Sequence, residues 1–202
     1  MKLVIISDTH MGHRDIMLPP GDVLIHCGDA TFQGEEAEVF EFNEWLGAQD
    51  FKHKIFVPGN HDWLFQKNEE RARALLPNAH VLIDEELVID GVKFYGSPWQ
   101  PAFMGWAFNL FSGEALREKW DLIPEDVDVL ITHGPPYGIL DDGKGCLQLT
   151  NRILWLENLK LHCFGHIHGG YGVKRTSKKT FINASSMNED YDLANSPQVF
   201  YV

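Results

Sequence analysis

Five short stretches of nearly unbroken apolar character set the rhythm of the chain: residues 2–7, 22–27, 54–58, 128–132 and 160–164. Continuous rather than alternating hydrophobicity predicts strands covered on both faces, as in the parallel sheets of α/β folds. Between them, residues 35–48 and 146–159 space their apolar side chains helically. Val39, Phe40, Phe42, Trp45 and Leu46 mark the first, and Leu147, Ile153, Leu154 and Leu156 the second. Two further helices are predicted, over 64–76 with a stop at Pro77 and over 113–120 with Ser112 as cap. Residues 80–96 switch to paired short strands around an Asp90-Gly91 turn, and 171–175, 180–184 and 198–201 read as further strands. The pattern predicts two packed sheets flanked by helices, in one domain spanning residues 1–202. No linker, low-complexity stretch or internal repeat interrupts it.

A polar block follows each of the five apolar runs. They are Asp8-Thr9-His10, Gly28-Asp29, Gly59-Asn60-His61-Asp62, His133-Gly134-Pro135-Pro136 and Gly165-His166-Ile167-His168. Ligands of α/β sheets bind beyond the carboxyl ends of the strands, so five such blocks are expected to converge on one rim. Asp8 and His10 stand two residues apart, on one side of an extended chain, as do His166 and His168. Asp29 follows a glycine that lets the backbone turn, and its two oxygens can bridge two cations. With Asn60 and His133 these make seven oxygen and nitrogen ligands: Asp8, His10, Asp29, Asn60, His133, His166 and His168. A mixed nitrogen and oxygen set without thiolate suits manganese first, with iron or zinc as alternatives, and disfavours calcium or magnesium.

Composition narrows the partners. A formal net charge of −12 argues against a grip on long nucleic acid, which needs a basic face to displace counterions. Metal ions can still draw an anionic substrate to an acidic chain. The one basic cluster, Lys174-Arg175 with Lys178-Lys179, is expected at a hairpin tip. Three cysteines without paired spacing support neither a disulfide framework nor a thiolate zinc site. Cys27 and Cys163 read as buried, Cys146 as opening a helix. No apolar run is long enough to span a bilayer, and residues 1–8 turn polar too soon for a signal peptide. A cytoplasmic location is the resulting expectation.

Taken in order, the five blocks resemble the calcineurin-like metallophosphoesterase superfamily. Leu24-Ile25-His26-Cys27-Gly28-Asp29, Tyr95-Gly96-Ser97-Pro98-Trp99-Gln100-Pro101, Phe108-Asn109-Leu110, His133-Gly134-Pro135-Pro136-Tyr137-Gly138 and Ile182-Asn183-Ala184-Ser185 are similar to its metallophosphoesterase-domain-containing branch. The resemblance implies a four-layer α/β/β/α sandwich with two mixed sheets and two metals at one edge. It implies Asp8, His10, Asp29 and His168 around one ion, and Asp29, Asn60, His133 and His166 around the other. Where the superfamily often carries Asp or Arg three residues beyond the bridging aspartate, this chain has Phe32.

The expected chemistry is a dinuclear phosphodiesterase, in which a hydroxide held between two cations attacks phosphorus in line. His61, not needed as a ligand, is the expected proton donor to the leaving oxygen. Asp62 is expected either to orient the His61 imidazole or raise its pKa, or to serve as N-cap or first-turn residue of the helix that follows. His26 reads as a satisfied core histidine, and His53, His80 and His162 as structural or exposed, while His13 is within sequence reach of a substrate phosphate. Trp99, Phe103, Trp106, Phe108 and Phe111 can stack on a base or simply pack, and Ser97, Asn183 and Ser185 can offer hydrogen bonds near the site. Small phosphodiesters, cyclic nucleotides among them, are the expected substrates. The alternative is a non-catalytic nucleotide-binding or scaffolding protein that retains the metal site.

Overall fold

The computed structural model describes residues 1–202. Its strands and helices, in chain order, begin with β1 (Lys2–Ile6), β2 (Val23–His26), α1 (Glu36–Gly47), β3 (His53–Phe56), α2 (Trp63–Lys67), α3 (Glu69–Leu75) and β4 (His80–Val81). They continue with β5 (Glu85–Ile89), β6 (Val92–Ser97), β7 (Gln100–Pro101), β8 (Asn109–Leu110), α4 (Gly113–Trp120) and β9 (Val129–Thr132). The last are α5 (Leu147–Trp155), β10 (Leu161–Phe164), β11 (Gly172–Arg175), β12 (Thr180–Asn183) and β13 (Gln198–Tyr201). One sheet runs β13-β1-β2-β3-β4 and the other β11-β12-β10-β9-β6-β5. β1, β2, β3 and β4 are mutually parallel, as are β6, β9, β10 and β12, with antiparallel strands at the margins.

Alternation along the strands sorts the apolar residues into three layers. Leu3, Ile5, Ile25 and Val57 of the first sheet meet Phe94, Val129, Ile131 and Ile182 of the second. Their neighbours Val4, Ile6, Leu24 and Phe56 face the other way, onto Val39, Phe42, Trp45 and Phe65 of the helices α1 and α2. On the far side Leu130, Phe164 and Phe181 pack on Leu116, Trp120, Leu149 and Ile153 of α4 and α5. The continuous apolar runs thus have their cause: each central strand has two dry faces. The result is the four-layer α/β/β/α sandwich. Cys27 and Cys163 lie unpaired in the layer between the sheets.

Several local expectations need correction. The helix expected over 64–76 is broken at Asn68, whose extended backbone (φ −153°) ends α2 and whose Oδ1 accepts from Arg71 N at 3.2 Å to start α3. The helix expected to 159 ends at Trp155. The short parallel ribbon β7–β8, with an excursion over 102–108 between its strands, carries no periodicity and was not legible. Elsewhere the local signals match the structure. Asp90 and Gly91 both take left-handed backbone at the β5–β6 hairpin. Ser112 caps α4 through Ala115 N, and Cys146 Sγ accepts from Leu149 N at the head of α5. No helix is long and apolar enough to cross a membrane.

Two histidines are buried in the neutral form. His26 Nε2 meets Thr9 Oγ1 at 3.0 Å, and its Nδ1 accepts from Gly28 N at 3.2 Å. His162 Nε2 meets Thr132 Oγ1 at 2.8 Å. Burial pushes both pKa values down to about 3. The unfolded chain therefore binds more protons than the native one below the ordinary histidine value, and stability falls as pH drops below about 6.5. Replacing His162 with Leu should remove its share, flattening the acid slope by up to about 1.4 kcal/mol per pH unit. Denaturant unfolding of both proteins between neutral and mildly acid pH checks this; parallel slopes would contradict it.

Candidate metal centre

The blocks at the ends of β1, β2, β3, β9 and β10 meet at one edge of the two sheets. Backbone bonds fix their spacing: Asp8 N donates to Gly28 O at 2.9 Å, His10 N to Asp29 O at 3.0 Å, and Gly165 N to His133 O at 2.9 Å. Asp8, His10, Asp29 and His166 all have left-handed backbone, with φ of 50°, 39°, 55° and 66°. Such conformations cost of order 1–3 kcal/mol each in a non-glycine residue and persist only where the surroundings impose them. Close approach needs glycine too. A Cβ on Gly28 would sit 2.5 Å from His133 Nδ1, and one on Gly165 would collide with Asp8 Oδ2.

Two clusters made up wholly of expected ligands result, and a third group joins His10 and Asp29 to His61. One ligand atom each from Asp8, His10 and His168 lie within 4.8 Å of one another, as do those of Asp29, His133 and His166. Asp29 reaches toward both, with Oδ2 3.3 Å from His133 Nε2 and 3.9 Å from His10 Nε2. Asn60 Oδ1 adds to the second cluster, 2.9 Å from His133 Nε2. All seven expected ligands are therefore brought together.

The orientation of the rings tests whether cations fit. His133 Nδ1 donates to Cys27 O and His168 Nδ1 to Asn188 O, both at 2.9 Å. Each anchored ring turns Nε2 toward oxygen acceptors: Asn60 Oδ1 and Asp29 Oδ2 for His133, Asp8 Oδ1 at 3.5 Å for His168. Neutral rings so anchored would set lone pair against lone pair, an arrangement that needs a proton or a metal ion between them. His10 is buried with neither ring nitrogen hydrogen-bonded. Oxygen and imidazole donors, an orphaned buried histidine and two buried carboxylates fit divalent cations.

Charge balance points the same way. Burial pushes against ionisation of Asp8, but the His168 hydrogen bond and the nearby histidines outweigh it and hold the carboxyl at about 2. Burial likewise opposes the charge on Asp29, and His133 and His10 overcome it, lowering that pKa further still. Burial depresses His133, yet Asp29 beside it raises the ring to about 9. Burial, then the positive His133, drops His166 to about 4.

Asp62 does something neither expectation foresaw. Fully buried, it accepts Asp29 N at 2.8 Å and Gly59 N at 2.7 Å on Oδ2, and Thr31 N at 3.1 Å and Thr31 Oγ1 at 2.7 Å on Oδ1. It neither meets the His61 ring nor caps α2 through its side chain. It staples the Asp29 and Asn60 loops together. The His61 ring is oriented instead by Phe32 O, 2.8 Å from Nδ1, so the chain uses the backbone of the residue whose side chain departs from the superfamily pattern.

Other expected contacts lie elsewhere. His13 is buried against Phe42 and Trp45 and bonds Glu41 Oε2 at 2.6 Å, so it is turned away from the site. Ser97 Oγ bonds Asp84, and Ser185 Oγ bonds Met187 O. Asn183 Nδ2 holds Ile167 O at 2.8 Å, fixing the residue between His166 and His168. Sequence reasoning missed Tyr191, whose ring packs 5.1 Å from His10 and 4.9 Å from His168; nothing in the pattern of residues 185–197 signals it.

Two outcomes follow. Asp62→Asn presents an amide to N–H donors it cannot satisfy, at about 1–3 kcal/mol for each buried donor left unpaired. A lower Tm together with weaker metal binding is expected, and an unchanged Tm would show that the carboxylate is not a staple. In metal-free protein at neutral pH His133 holds a proton that a cation must displace. Calorimetric metal titration in buffers of differing ionisation enthalpy should therefore report proton release, fading as pH rises through about 9.

Comparison with known proteins agrees with this geometry. The human Metallophosphoesterase domain-containing protein 1 is 43% identical over 98% of this chain and 70% of its own length. A UPF0046 protein of Caenorhabditis elegans is 38% identical over 99% of this chain and 59% of its own length. The crystal structure of TT1561 of Thermus thermophilus superposes with a TM-score of 0.61 at 14% identity, covering 90% of this chain and 88% of that one, a likeness of fold alone. The sequence profile for calcineurin-like phosphoesterases matches residues 1–170. With its clustered candidate ligands, the chain thus belongs to the calcineurin-like phosphoesterase family and is a metal-dependent phosphoester hydrolase.

Proposed function

We propose that this protein is a phosphodiesterase with a two-metal centre, hydrolysing small phosphodiesters, cyclic nucleotides among them. The observation that carries the reading is the pair of ligand clusters reaching toward one carboxylate, Asp29, with His61 beside it. One ring nitrogen of His61 lies within 4.8 Å of ligand atoms of both His10 and Asp29. Divalent cations held by Asp8, His10, Asp29 and His168, and by Asp29, Asn60, His133 and His166, would supply Lewis-acid charge and a nucleophilic water. Manganese suits the donor set, with iron and zinc as alternatives.

The chain's own residues supply the rest. With Nδ1 engaged by Phe32 O, His61 keeps Nε2 for the substrate. As the bond from phosphorus to the leaving oxygen breaks, Nε2 of His61 is placed to give that oxygen a proton, and the proton lost by the water that bonds to phosphorus restores the imidazolium. A cavity of about 440 Å³ opens beside His166 and His168, lined by Trp99, Phe103, Lys144 and Tyr191 among others. Its size suits a small organic ester rather than a polymer. Lys144 is the cationic side chain among its lining residues.

Metal-stripped protein given Mn²⁺ should hydrolyse an aryl phosphodiester faster than the matching monoester, and lose that activity on chelation. A monoester preference would contradict the diesterase reading. His61→Ala should keep both metals by elemental analysis while turnover falls by about 10²–10⁴. Metal-loaded wild-type protein inert to both ester classes would point instead to a binding role.

A further inference from the structure

One side chain beside the centre has no part in ligation, in the core or in the cavity lining. Trp106 sits on the 102–108 excursion, with its indole stacked on the His61 imidazole at 4.0 Å between centroids and 29° between planes. The His10 ring meets His61 edge-on at 4.7 Å. With Phe32 O at Nδ1 and the His61 amide donating to Asp29 Oδ1 at 2.8 Å, the imidazole is restrained on several sides at once.

The excursion itself is pinned to the catalytic edge. Ala107 N donates to Asn60 O at 3.1 Å, the carbonyl of the residue just before His61. Phe108 N donates to Gln66 Oε1 at 2.9 Å, on the helix that follows the same loop. At the other end Asn109 Nδ2 holds Phe103 O at 3.1 Å and Met104 O at 3.2 Å, while its Oδ1 takes Gln100 Nε2. The excursion, exposed over 102–105 and buried at Ala107 and Phe108, is thus bonded at both ends, and the side chain it delivers to His61 is the indole.

We propose that Trp106 is a positioning residue for His61: its stacked face holds the imidazole in the plane from which Nε2 meets the leaving oxygen. The inference rests on the reading of His61 as proton donor. Without the indole the ring keeps its Phe32 bond and the His10 edge contact but loses the stacked face that opposes rotation about that bond. Misalignment of a reacting group by about 1 Å can cost on the order of 10²-fold in rate. The loss falls on esters whose leaving oxygen needs a proton, whereas an acidic phenol departs unaided.

The test is a leaving-group series on metal-loaded protein, from nitrophenyl through phenyl to alkyl esters of one phosphodiester type. Trp106→Ala should steepen the fall of kcat with leaving-group basicity, losing roughly tenfold or more on alkyl esters while the nitrophenyl ester changes little. Trp106→Phe, which keeps a stacking face, should restore most of it. In metal-free protein the His61 ring protons, assigned by their absence in His61→Ala, should sit upfield under the indole ring current and move downfield in Trp106→Ala. An equal loss on every ester, no loss on any, or unshifted His61 protons would each overturn the proposal. His61→Ala separates the two levels. If it steepens the series and Trp106→Ala does not, the positioning role alone fails. If it does not, the proton-donor reading fails and takes the positioning role with it.

Discussion

Two carboxylates buried at the edge of two sheets are the constraint from which the site follows. Asp8 is fully buried and Asp29 nearly so, and each follows a strand that is apolar over most of its length. Burying an isolated carboxylate is costly unless charge of the opposite sign accompanies it. Four histidines surround them, His10 from Asp8's own block and His133, His166 and His168 from two later ones, and of these His133 and His168 are held toward the charged form by the neighbouring carboxylates. A protonated His133 is a partial answer, because Asp29 Oδ2, Asn60 Oδ1 and Cys27 O all crowd one imidazole. Divalent cations answer it more completely, replacing a proton with a centre that several lone pairs can share.

The geometry is imposed by parts of the chain that touch no substrate. Four of the candidate ligands, Asp8, His10, Asp29 and His166, hold left-handed backbone, and hydrogen bonds between adjacent strand ends keep them there. Asp62 shows the same economy, joining the Asp29 and Asn60 loops through four donors while leaving His61 to a backbone carbonyl. In this scheme strain at the edge is sustained by three dry layers behind it, the inter-sheet core and the two helix-facing cores. Precision at the centre therefore depends on the whole sandwich rather than on the loops alone.

Much of this was legible in the sequence, for identifiable reasons. Strands with two buried faces announce themselves as unbroken apolar runs, so the five central strands and the polar blocks after them could be placed. Residue types and their order carried the metal reading. The extended chain assumed for Asp8 with His10 and His166 with His168 is replaced by left-handed backbone at Asp8, His10 and His166, and His166 and His168 fall in different clusters. What stayed hidden depended on partners distant in sequence. The break at Asn68 is the exception, a local one: its side chain caps the next helix through Arg71 N, three residues on, which apolar spacing does not reveal. Asp62 could not be read as a staple, because its partners Asp29 and Thr31 lie some thirty residues upstream. Trp106 and Tyr191 sit in segments without periodicity, and the stacking of Trp106 on His61 and the packing of Tyr191 against His10 and His168 appear only once the sheets are folded. His13, adjacent in sequence to the first ligands, was drawn into the helix α1 layer instead.

The central claim is that Asp29 belongs to two cation positions at once. Electron paramagnetic resonance of protein titrated with Mn²⁺ tests this most directly. A shared carboxylate places two ions close enough for their spins to couple, so two Mn²⁺ per chain with a coupled spectrum is the expected result, collapsing to an isolated-ion signal in Asp29→Asn. A single bound ion, or two ions with independent spectra in the unmodified protein, would contradict the account.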